Sequence, residues 1–178
     1  ESNAPDEDHF WSYDRRSKQY KVERTPFMQF LKREGFGKLY AEDDLDSMLV
    51  RVEENIVERT SRERIKDHTI RHVRSLDLED EEEVVDALLR GANVYFSDAL
   101  FEFLPALDLE FHRDTADTAF FYYRNGFVEV TAEDHQLHPY DELDGAIWAD
   151  QIIDREFETL DTEELAGSDW KQHLENVT

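Results

Sequence analysis

An Asn-Gly pair between two aromatic and aliphatic runs restricts the fold more than any other feature of the sequence. Asn125-Gly126 separates residues 119–123 from residues 127–130. Asn-Gly favours a type I′ turn, because both central residues of this turn need a positive φ, and such turns join the strands of hairpins. The sequence therefore predicts a β-hairpin with Asn125-Gly126 at its tip. A third strand near residues 136–140 would extend this hairpin into a meander.

Successive side chains of a strand point to opposite faces, so the hairpin pattern also predicts part of the core. The side chains expected to be buried are Phe121, Tyr123, Val128 and Val130. Phe120 and Tyr122 are then partly outside and, beside Arg124, are candidates for a platform on which single-stranded bases stack. Packing in the core is the favoured interpretation of these aromatic residues.

The earlier part of the chain predicts short helices and further hairpins. Hairpins are expected over residues 10–20 and around Glu54-Asn55. Helix starts are predicted where a capping residue or a proline precedes apolar periodicity: Thr25-Pro26, Thr60 with Glu63, Asp80, and Ser97. Helix ends are predicted at Gly35, Gly91 and Pro105, and a last helix is predicted after Ser168.

These elements alternate irregularly, which favours an α+β fold of mixed small helices with antiparallel β-hairpins or a meander over a regular βαβ alternation. The helix side chains expected to face the core are Phe27, Phe30, Leu31, Ile65, Ile70, Val73, Val84, Val85, Leu88 and Leu89. Three parts are predicted along the chain. Residues 1–9 are a leader that is disordered or derived from an expression tag, residues 10–110 form a mainly helical α+β subdomain, and residues 111–178 form a β-hairpin or meander subdomain with a C-terminal helix.

The charge balance is strongly acidic, with 44 Asp and Glu against 20 Lys and Arg and a formal net charge of −24. Nucleic-acid recognition depends on clustered Lys and Arg, so this balance disfavours a free-standing nucleic-acid-binding protein. An evenly acidic, lysine-poor surface is what we expect of a protein that works in very high salt, where the Debye length falls to roughly 3 Å and self-repulsion is screened. The alternative is an ordinary acidic domain.

Composition excludes several other classes. An apolar fraction of 39% is enough for a core, and the chain has no cysteine, which excludes disulfides, thiolate zinc sites and cysteine nucleophiles. No apolar run approaches the roughly 18 residues of a membrane span. We therefore expect a soluble, cytoplasmic protein without a membrane partner.

Phosphate-binding and acid–base motifs are incomplete in this sequence. The segment Gly35-Phe36-Gly37-Lys38 is similar to part of a phosphate loop, but the pattern G-x-x-x-x-G-K-[ST] is absent, so a helix stop followed by a turn is expected. Paired carboxylates for general acid–base catalysis cannot be picked out when a quarter of the chain is acidic. We predict no catalytic residue and no bound cofactor.

Histidine spacings give weak metal-site candidates. His68 and His72 are four residues apart on a predicted helix, but no third ligand is specified. His135 and His138 are three apart on a predicted strand, so their rings point to opposite faces. His112 with Asp114 is the remaining nitrogen–oxygen pair. We predict no functional metal site.

One local basic stretch contrasts with the acidic chain. It contains Arg51, Arg59, Arg62, Arg64, Arg71 and Arg74, although Glu63 and Asp67 interrupt it on the predicted helix. Clustered guanidinium groups are the usual partners of phosphates. The candidate nucleic-acid or partner surface comprises Arg59, Arg62, Arg71, Arg74 and Arg124.

Several segments together resemble one protein family. The segments 114–131, 139–148 and 151–157, with Phe10-Trp11-Ser12-Tyr13 and Leu49-Val50-Arg51-Val52 upstream, resemble the region that precedes the helicase core in phage- and plasmid-type primase-helicases of the poxvirus-like superfamily 3. The resemblance covers nearly the whole chain after residue 9. In such proteins the nucleotide-binding loop lies further along, after a segment like residues 170–174.

The resemblance implies a role in the replication of phage or mobile-element DNA. We therefore expect a non-catalytic accessory domain that assembles or positions DNA and primase relative to a downstream ATPase motor, the full-length protein being a DNA helicase. The implied partners are the helicase domain of the same polypeptide, DNA, and further copies of the chain. The alternatives are a stand-alone metal-dependent hydrolase or nuclease, and a DNA-binding module.

Overall fold

A computed structural model describes residues 9–40 and 46–159, whose contacts divide into two units. The described part of unit 1 comprises residues 9–40, 46–112 and 144–149; that of unit 2 comprises residues 113–143 and 150–159. Residues 1–8 of the predicted leader and the predicted helix after Ser168 lie outside the described residues.

Helices and mainly antiparallel sheets make the fold α+β, as the sequence predicts. The helices are α1 (Arg24–Arg33), α2 (Arg62–Ser75), α3 (Glu81–Arg90), α4 (Ala92–Tyr95) and α5 (Asp98–Phe101). The strands are β1 (Trp11–Asp14), β2 (Gln19–Val22), β3 (Phe36–Tyr40), β4 (Ser47–Glu53), β5 (Ile56–Arg59), β6 (Ala119–Tyr123), β7 (Gly126–Val130), β8 (His135–His138) and β9 (Ile147–Trp148). Short 3₁₀ helices cover Tyr140–Glu142 and Ala149–Gln151.

Unit 1 contains the hairpin β1-β2 and a four-stranded sheet of order β3-β4-β5-β9. Both predicted hairpins are confirmed, and Glu54 and Asn55 join β4 to β5 with positive φ values of 47° and 67°. Strand β9 comes from the segment 144–149, which the sequence analysis grouped with the second subdomain. It lies in unit 1 because Ile147 pairs in parallel with Ile56, a contact between residues far apart in sequence.

The core of unit 1 is aromatic where α1 meets the base of the β1-β2 hairpin. The ring centroid of Phe10 lies 5.2 Å from that of Phe27 and 4.7 Å from that of Phe30, and all three side chains are buried. Full burial of each such side chain contributes about 1.5–3 kcal/mol. Helices α2 and α3 complete this core with Ile65, Val73, Val84, Val85 and Leu88, so the inward faces of these helices are fixed.

Two predicted helix caps are wrong by one or two residues. Helix α1 begins after Glu23, which places Thr25 inside the first turn. The backbone N–H of Glu23 donates to Phe10 O at 2.9 Å, so the helix starts where the β1-β2 sheet ends. Helix α2 is capped by Ser61, whose Oγ accepts from Arg64 N at 3.3 Å. Thr60 is not the cap, because its N–H donates to Leu49 O of β4.

The remaining helix boundaries agree with the sequence except at the end of α5, which lies at Phe101 and not at the predicted Pro105. Asp80 and Ser97 precede α3 and α5, and Gly91 follows α3, as predicted. The predicted burial of Leu89 is wrong, since this side chain is 55% exposed. A helix turns by about 100° per residue, which carries Leu89 away from the stripe that Val84 and Leu88 form. The short helix α4 was not predicted.

Unit 2 contains the predicted meander, with strand order β6-β7-β8. The register pairs Tyr123 with Gly126, so Arg124 and Asn125 form the hairpin tip. The prediction of Asn125-Gly126 as the two turn residues is therefore wrong by one residue. Gly126 instead begins β7 with a φ of 144°, and a Cβ atom there would lie 2.2 Å from His138 O of the neighbouring strand.

The predicted faces of β6 are also wrong. Tyr122 is 8% exposed, whereas Phe121 is 46% exposed. Tyr122 pairs with Phe127 of β7, and both side chains are buried. The face of β6 that carries Tyr122 is therefore turned toward the interior. The predicted burial of Val128 is confirmed, while Tyr123 and Val130 are only half-buried.

The segment after Ile153 covers the outer edge of β6. Ile153 N donates to Tyr122 O at 2.9 Å, and Arg124 N donates to Arg155 O at 3.0 Å. The side-chain amide of Asn125 then holds Phe157 twice, donating to its O at 3.0 Å and accepting from its N at 2.8 Å. These contacts satisfy the backbone groups that an edge strand would otherwise leave open.

Candidate nucleic-acid interface

The candidate interface of unit 1 lies on helix α2. Residues 59–74 contain six Lys or Arg residues and two Asp or Glu residues, a local net charge of +4 within a chain of −24. Helix α2 buries Ile65, Thr69 and Val73 against the core. The opposite side of the helix is exposed and carries three guanidinium groups, which we call the arginine face: Arg64, Arg71 and Arg74.

Each member of the arginine face has an acidic or backbone partner. Arg64 pairs with Glu58 of β5. Arg74 Nε lies 3.6 Å from Glu81 Oε1 at the start of α3. Among the described residues, Arg71 Nε makes one long contact, of 3.4 Å, to Asp67 O within the helix. The three guanidinium groups are therefore held loosely at the surface.

Two further predicted residues flank this face. Arg62 Nη1 lies 3.1 Å from Asp98 Oδ2 of α5, and both side chains are exposed. Arg59, at the end of β5, lies over the ring of Trp148 at 5.4 Å from its centroid. Trp148 also stacks with Phe111, with ring centroids 5.3 Å apart and an interplanar angle of 16°. The Trp148 ring therefore holds the guanidinium group of Arg59 by a cation–π contact.

Arg124 and Arg51 have different surroundings. Arg124 lies in unit 2 at the tip of the β6-β7 hairpin, where its Nε donates to Asp154 Oδ1 at 2.8 Å. Arg51 is half-buried, and its Nε donates to Glu34 O at 3.0 Å. Arg51 therefore supports the end of α1 and is not part of the arginine face.

Glu63 and Asp67, which were predicted to interrupt the basic stretch, lie on the exposed side of the helix. The pKa of Glu63 is lowered, first by hydrogen bonding from its own backbone N–H and then by the Ser61 hydroxyl group. Asp67 is exposed, and its contact with Arg71 is through the backbone carbonyl oxygen. The arginine face thus has two carboxylates beside it, and the local charge remains positive.

The histidines of α2 lie on the core side of the helix. His68 Nε2 donates to Glu34 Oε2 at 2.7 Å, and its ring packs against Phe36 at 5.1 Å. Burial lowers the pKa of His68, although the hydrogen bond to Glu34 opposes this shift. The ring of His72 packs on Phe30 at 4.5 Å, and its buried Nε2 has no hydrogen-bond partner among the described residues.

No group of three His, Asp or Glu side chains that could hold a metal ion is present within residues 9–40 and 46–159. His138 is stacked on Phe127 and lies between two acids, with Nδ1 at 3.2 Å from Glu142 Oε2 and Nε2 at 3.7 Å from Glu129 Oε2. Asp114 Oδ1 accepts from the backbone N–H of Phe120 at 2.9 Å.

The segment similar to a phosphate loop is a helix stop followed by strand β3. Gly35 has a φ of +82° after α1, and its O accepts from Val52 N at 2.9 Å. Lys38 lies in β3, and its Nζ donates to Glu102 O at 2.7 Å. The ammonium group is thereby tied to the backbone of its own unit.

Sequence reasoning missed two features of unit 1. The stack of Arg59 on Trp148 joins residues 89 positions apart, which no local pattern indicates. A cleft beside the β1-β2 hairpin was also missed, because it forms only where helix α3 lies next to the hairpin.

Comparisons with protein families, curated proteins and solved structures find no match to this chain. Among the described residues, no helix is long and apolar enough to cross a membrane.

Proposed function

We propose that this chain is a non-catalytic accessory domain of a phage- or mobile-element-type primase-helicase and that it contacts nucleic acid through the arginine face. The observation that carries the contact is the local charge of +4 over residues 59–74 in a chain of −24. Clustered guanidinium groups are what phosphate recognition requires. The replication context is supported by the resemblance of residues 114–131, 139–148 and 151–157 to the region upstream of the helicase core.

The ion pairs on the arginine face are weak enough to exchange for phosphates. The Arg64 and Arg74 side chains are 63% and 55% exposed, and exposed ion pairs contribute only about 0–1 kcal/mol. A guanidinium group offers two parallel N–H donors to a phosphate, a stronger charge-assisted contact. Phosphate binding would therefore replace the carboxylates of Glu58 and Glu81 at little cost in stability.

The length of the face matches a short stretch of nucleic-acid backbone. Arg64 and Arg71 are seven residues apart, which corresponds to a rise of about 10 Å along the helix. Phosphates of one strand of a duplex are spaced by about 3.4 Å along the axis, so the face spans roughly three of them. This size fits an accessory contact that positions DNA and leaves the chemistry to another domain.

The experiment is a fluorescence-anisotropy titration of a single-stranded 20-mer and a 20-base-pair duplex at 0.1 M KCl. The test variant is Arg64→Gln/Arg71→Gln/Arg74→Gln, and we expect its affinity to be at least about tenfold lower than that of the unsubstituted chain. The matched control is Arg24→Gln/Lys32→Gln/Arg113→Gln, which removes the same charge from exposed positions outside the arginine face. The control is expected to bind within about twofold of the unsubstituted chain.

Two results would contradict the nucleic-acid contact. One is an absence of binding by the unsubstituted chain at about 10 μM, a concentration within the usual range of non-specific binding. The other is an equal loss in the test and control variants, because the effect would then report total charge. The replication context is tested by the gene downstream of the Thr178 codon: an ATPase motor is expected there, and a stop codon would contradict it.

A further inference from the structure

A cleft of about 410 Å³ lies between the β1-β2 hairpin and helix α3. The hairpin contributes Tyr13, Lys18 and Tyr20 to its walls, and α3 with its N-cap contributes Asp80 and Glu83. The cleft lies within unit 1 and is separate from the arginine face of α2. Its walls therefore combine aromatic rings, carboxylates and the cations of Lys18 and Arg90 within one small volume.

The aromatic part of the cleft presents an open ring. Tyr13 and Tyr20 face each other across the two strands, with ring centroids 5.1 Å apart and an interplanar angle of 59°. Tyr13 is 50% exposed, unlike the aromatic rings at the base of the same hairpin. An exposed tyrosine ring supported by a second ring is a surface on which a flat aromatic ligand can stack.

The carboxylates of the cleft are available as hydrogen-bond acceptors. Asp86 is occupied by Arg90, whose Nε lies 3.2 Å from Asp86 Oδ2. Asp80 and Glu83 have no ion-pair or hydrogen-bond partner for their side chains among the described residues, and Asp80 makes no side-chain capping bond to α3. An ionised carboxylate accepts hydrogen bonds and donates none, so it selects a ligand that carries N–H groups.

The turn between β1 and β2 carries three cationic residues, of which Lys18 also lines the cleft. The side chains of Arg15, Arg16 and Lys18 are exposed and form no ion pair among the described residues. The turn itself is closed by Asp14 Oδ1, which accepts from Arg16 N at 2.9 Å and from Ser17 N at 3.4 Å. Since Asp14 is used inside the turn, the three cationic groups stay available to an anion outside it.

We propose that this cleft binds one unpaired nucleobase that carries an exocyclic amino group, with the flanking phosphates on the cations of the turn. The base stacks on Tyr13, and its amino group donates to Glu83 or Asp80. This inference rests on the proposed nucleic-acid contact and adds to it a second contact and a base preference. Cytosine and adenine present an amino donor to a carboxylate, whereas thymine presents a carbonyl acceptor at the equivalent position.

The test uses fluorescence anisotropy with labelled dC10, dT10 and a mixed-sequence duplex at pH 7.5 and 0.1 M KCl. We expect dC10 to bind about tenfold more tightly than dT10, since a good base contact is worth about 1–3 kcal/mol. Tyr13→Ala should weaken dC10 binding about tenfold and leave duplex binding unchanged. Glu83→Gln with Asp80→Asn should remove the preference for dC10 over dT10, because a side-chain amide also donates to the thymine carbonyl.

The outcomes separate this inference from the proposed function. Equal binding of dC10 and dT10, or dC10 binding that Tyr13→Ala leaves unchanged, would overturn the base-binding cleft even if the arginine-face variant still loses affinity. A loss of single-strand affinity in Arg15→Gln/Arg16→Gln/Lys18→Gln, against no loss in the charge-matched control Arg24→Gln/Lys32→Gln/Arg113→Gln, would support it. If Tyr13→Ala changes only the sedimentation of the free protein, the hairpin is a contact between copies of the chain, and the inference fails. Thermal unfolding of each variant checks that the fold is retained.

Discussion

The hydroxyl group of Tyr140 joins the 3₁₀ turn of unit 2 to strand β6. Its Oη donates to Tyr123 O at 2.6 Å, and burial raises the pKa of Tyr140 to about 12. We expect Tyr140→Phe to lower the free energy of unfolding by about 1 kcal/mol, because the carbonyl of Tyr123 loses its partner. Urea denaturation measures this loss. Tyr13→Phe is the control, since the Tyr13 hydroxyl group makes no hydrogen bond among the described residues; equal effects of the two substitutions would contradict this account.

Protonation of His68 is coupled to folding. Burial lowers its pKa in the folded state, with Glu34 opposing the shift and the positive charges of Arg51 and Arg71 adding to it. The unfolded chain has the ordinary histidine pKa of about 6.5, so it binds a proton first as the pH falls, and stability then decreases below about pH 6.5. We expect the melting temperature of His68→Gln to fall less between pH 7.5 and 5.5 than that of the unsubstituted chain. The same fall in both proteins would contradict this coupling.

Among the elements, the connection from α1 to β3 depends on a glycine. Gly35 has a φ of +82°, and an ideal Cβ atom there would lie 2.1 Å from Val52 O. We expect Gly35→Ala to destabilise unit 1 by more than about 1 kcal/mol, because both the backbone conformation and the space exclude a side chain. Chemical denaturation measures the change.

A substitution in the β4-β5 turn is expected to change stability in the opposite direction and serves as the control. Glu54 has a φ of 47°, which a residue with a Cβ atom adopts at a cost of roughly 1–2 kcal/mol. Glu54→Gly should therefore leave stability unchanged or raise it by up to about 1 kcal/mol, since the relief of strain exceeds the added entropy of the unfolded chain. A loss of stability in Glu54→Gly similar to that of Gly35→Ala would contradict the argument that the positive φ of Glu54 is strained.

Local signals in the sequence were enough for most elements. The apolar stripe of Phe27, Phe30 and Leu31 predicts the buried face of α1, because a helix repeats every 3.6 residues whatever it packs against. Non-local contacts were not predictable in this way. Ser61 and not Thr60 caps α2, because the N–H of Thr60 donates to Leu49 O of β4, eleven residues earlier. This contact depends on the register of β4 and β5.

The candidate interface was only partly predictable from the sequence, for the same reason. The basic stretch of 59–74 was visible in the sequence, but its division into an exposed face and a core side follows from the packing of α2. The error in the faces of β6 has a similar origin: the tip contains Arg124 and Asn125, and a register shift of one residue exchanges the faces of a strand. The cleft beside Tyr13 required the position of α3, which no local pattern contains.

For the whole molecule, the net charge of −24 predicts a dependence of stability on salt. If the acidic surface is adapted to very high salt, the carboxylates repel one another at low ionic strength, where the Debye length is roughly 30 Å at 0.01 M. We expect the melting temperature to keep rising between 0.2 and 2 M KCl. A flat or falling curve over that range would indicate an ordinary acidic domain.

The same charge affects the proposed nucleic-acid contact in two opposite ways. At very low salt the acidic surface as a whole repels the phosphates, because the screening length then covers much of the molecule. Near 0.1 M the Debye length is about 10 Å, so a phosphate on the arginine face interacts mainly with Arg64, Arg71 and Arg74. At higher salt these contacts weaken as well, since the release of counterions is less favourable.

The affinity for a single-stranded 20-mer as a function of KCl concentration, from 0.01 to 0.5 M, tests the central claim most directly. The account predicts the tightest binding at intermediate salt, followed by a linear decline of log K with log salt of about −0.7 for each phosphate contacted. Arg64→Gln/Arg71→Gln/Arg74→Gln should flatten this decline by about two in slope. Binding that is absent at every salt concentration, or a slope that the substitutions leave unchanged, would contradict the claim that the arginine face holds nucleic acid.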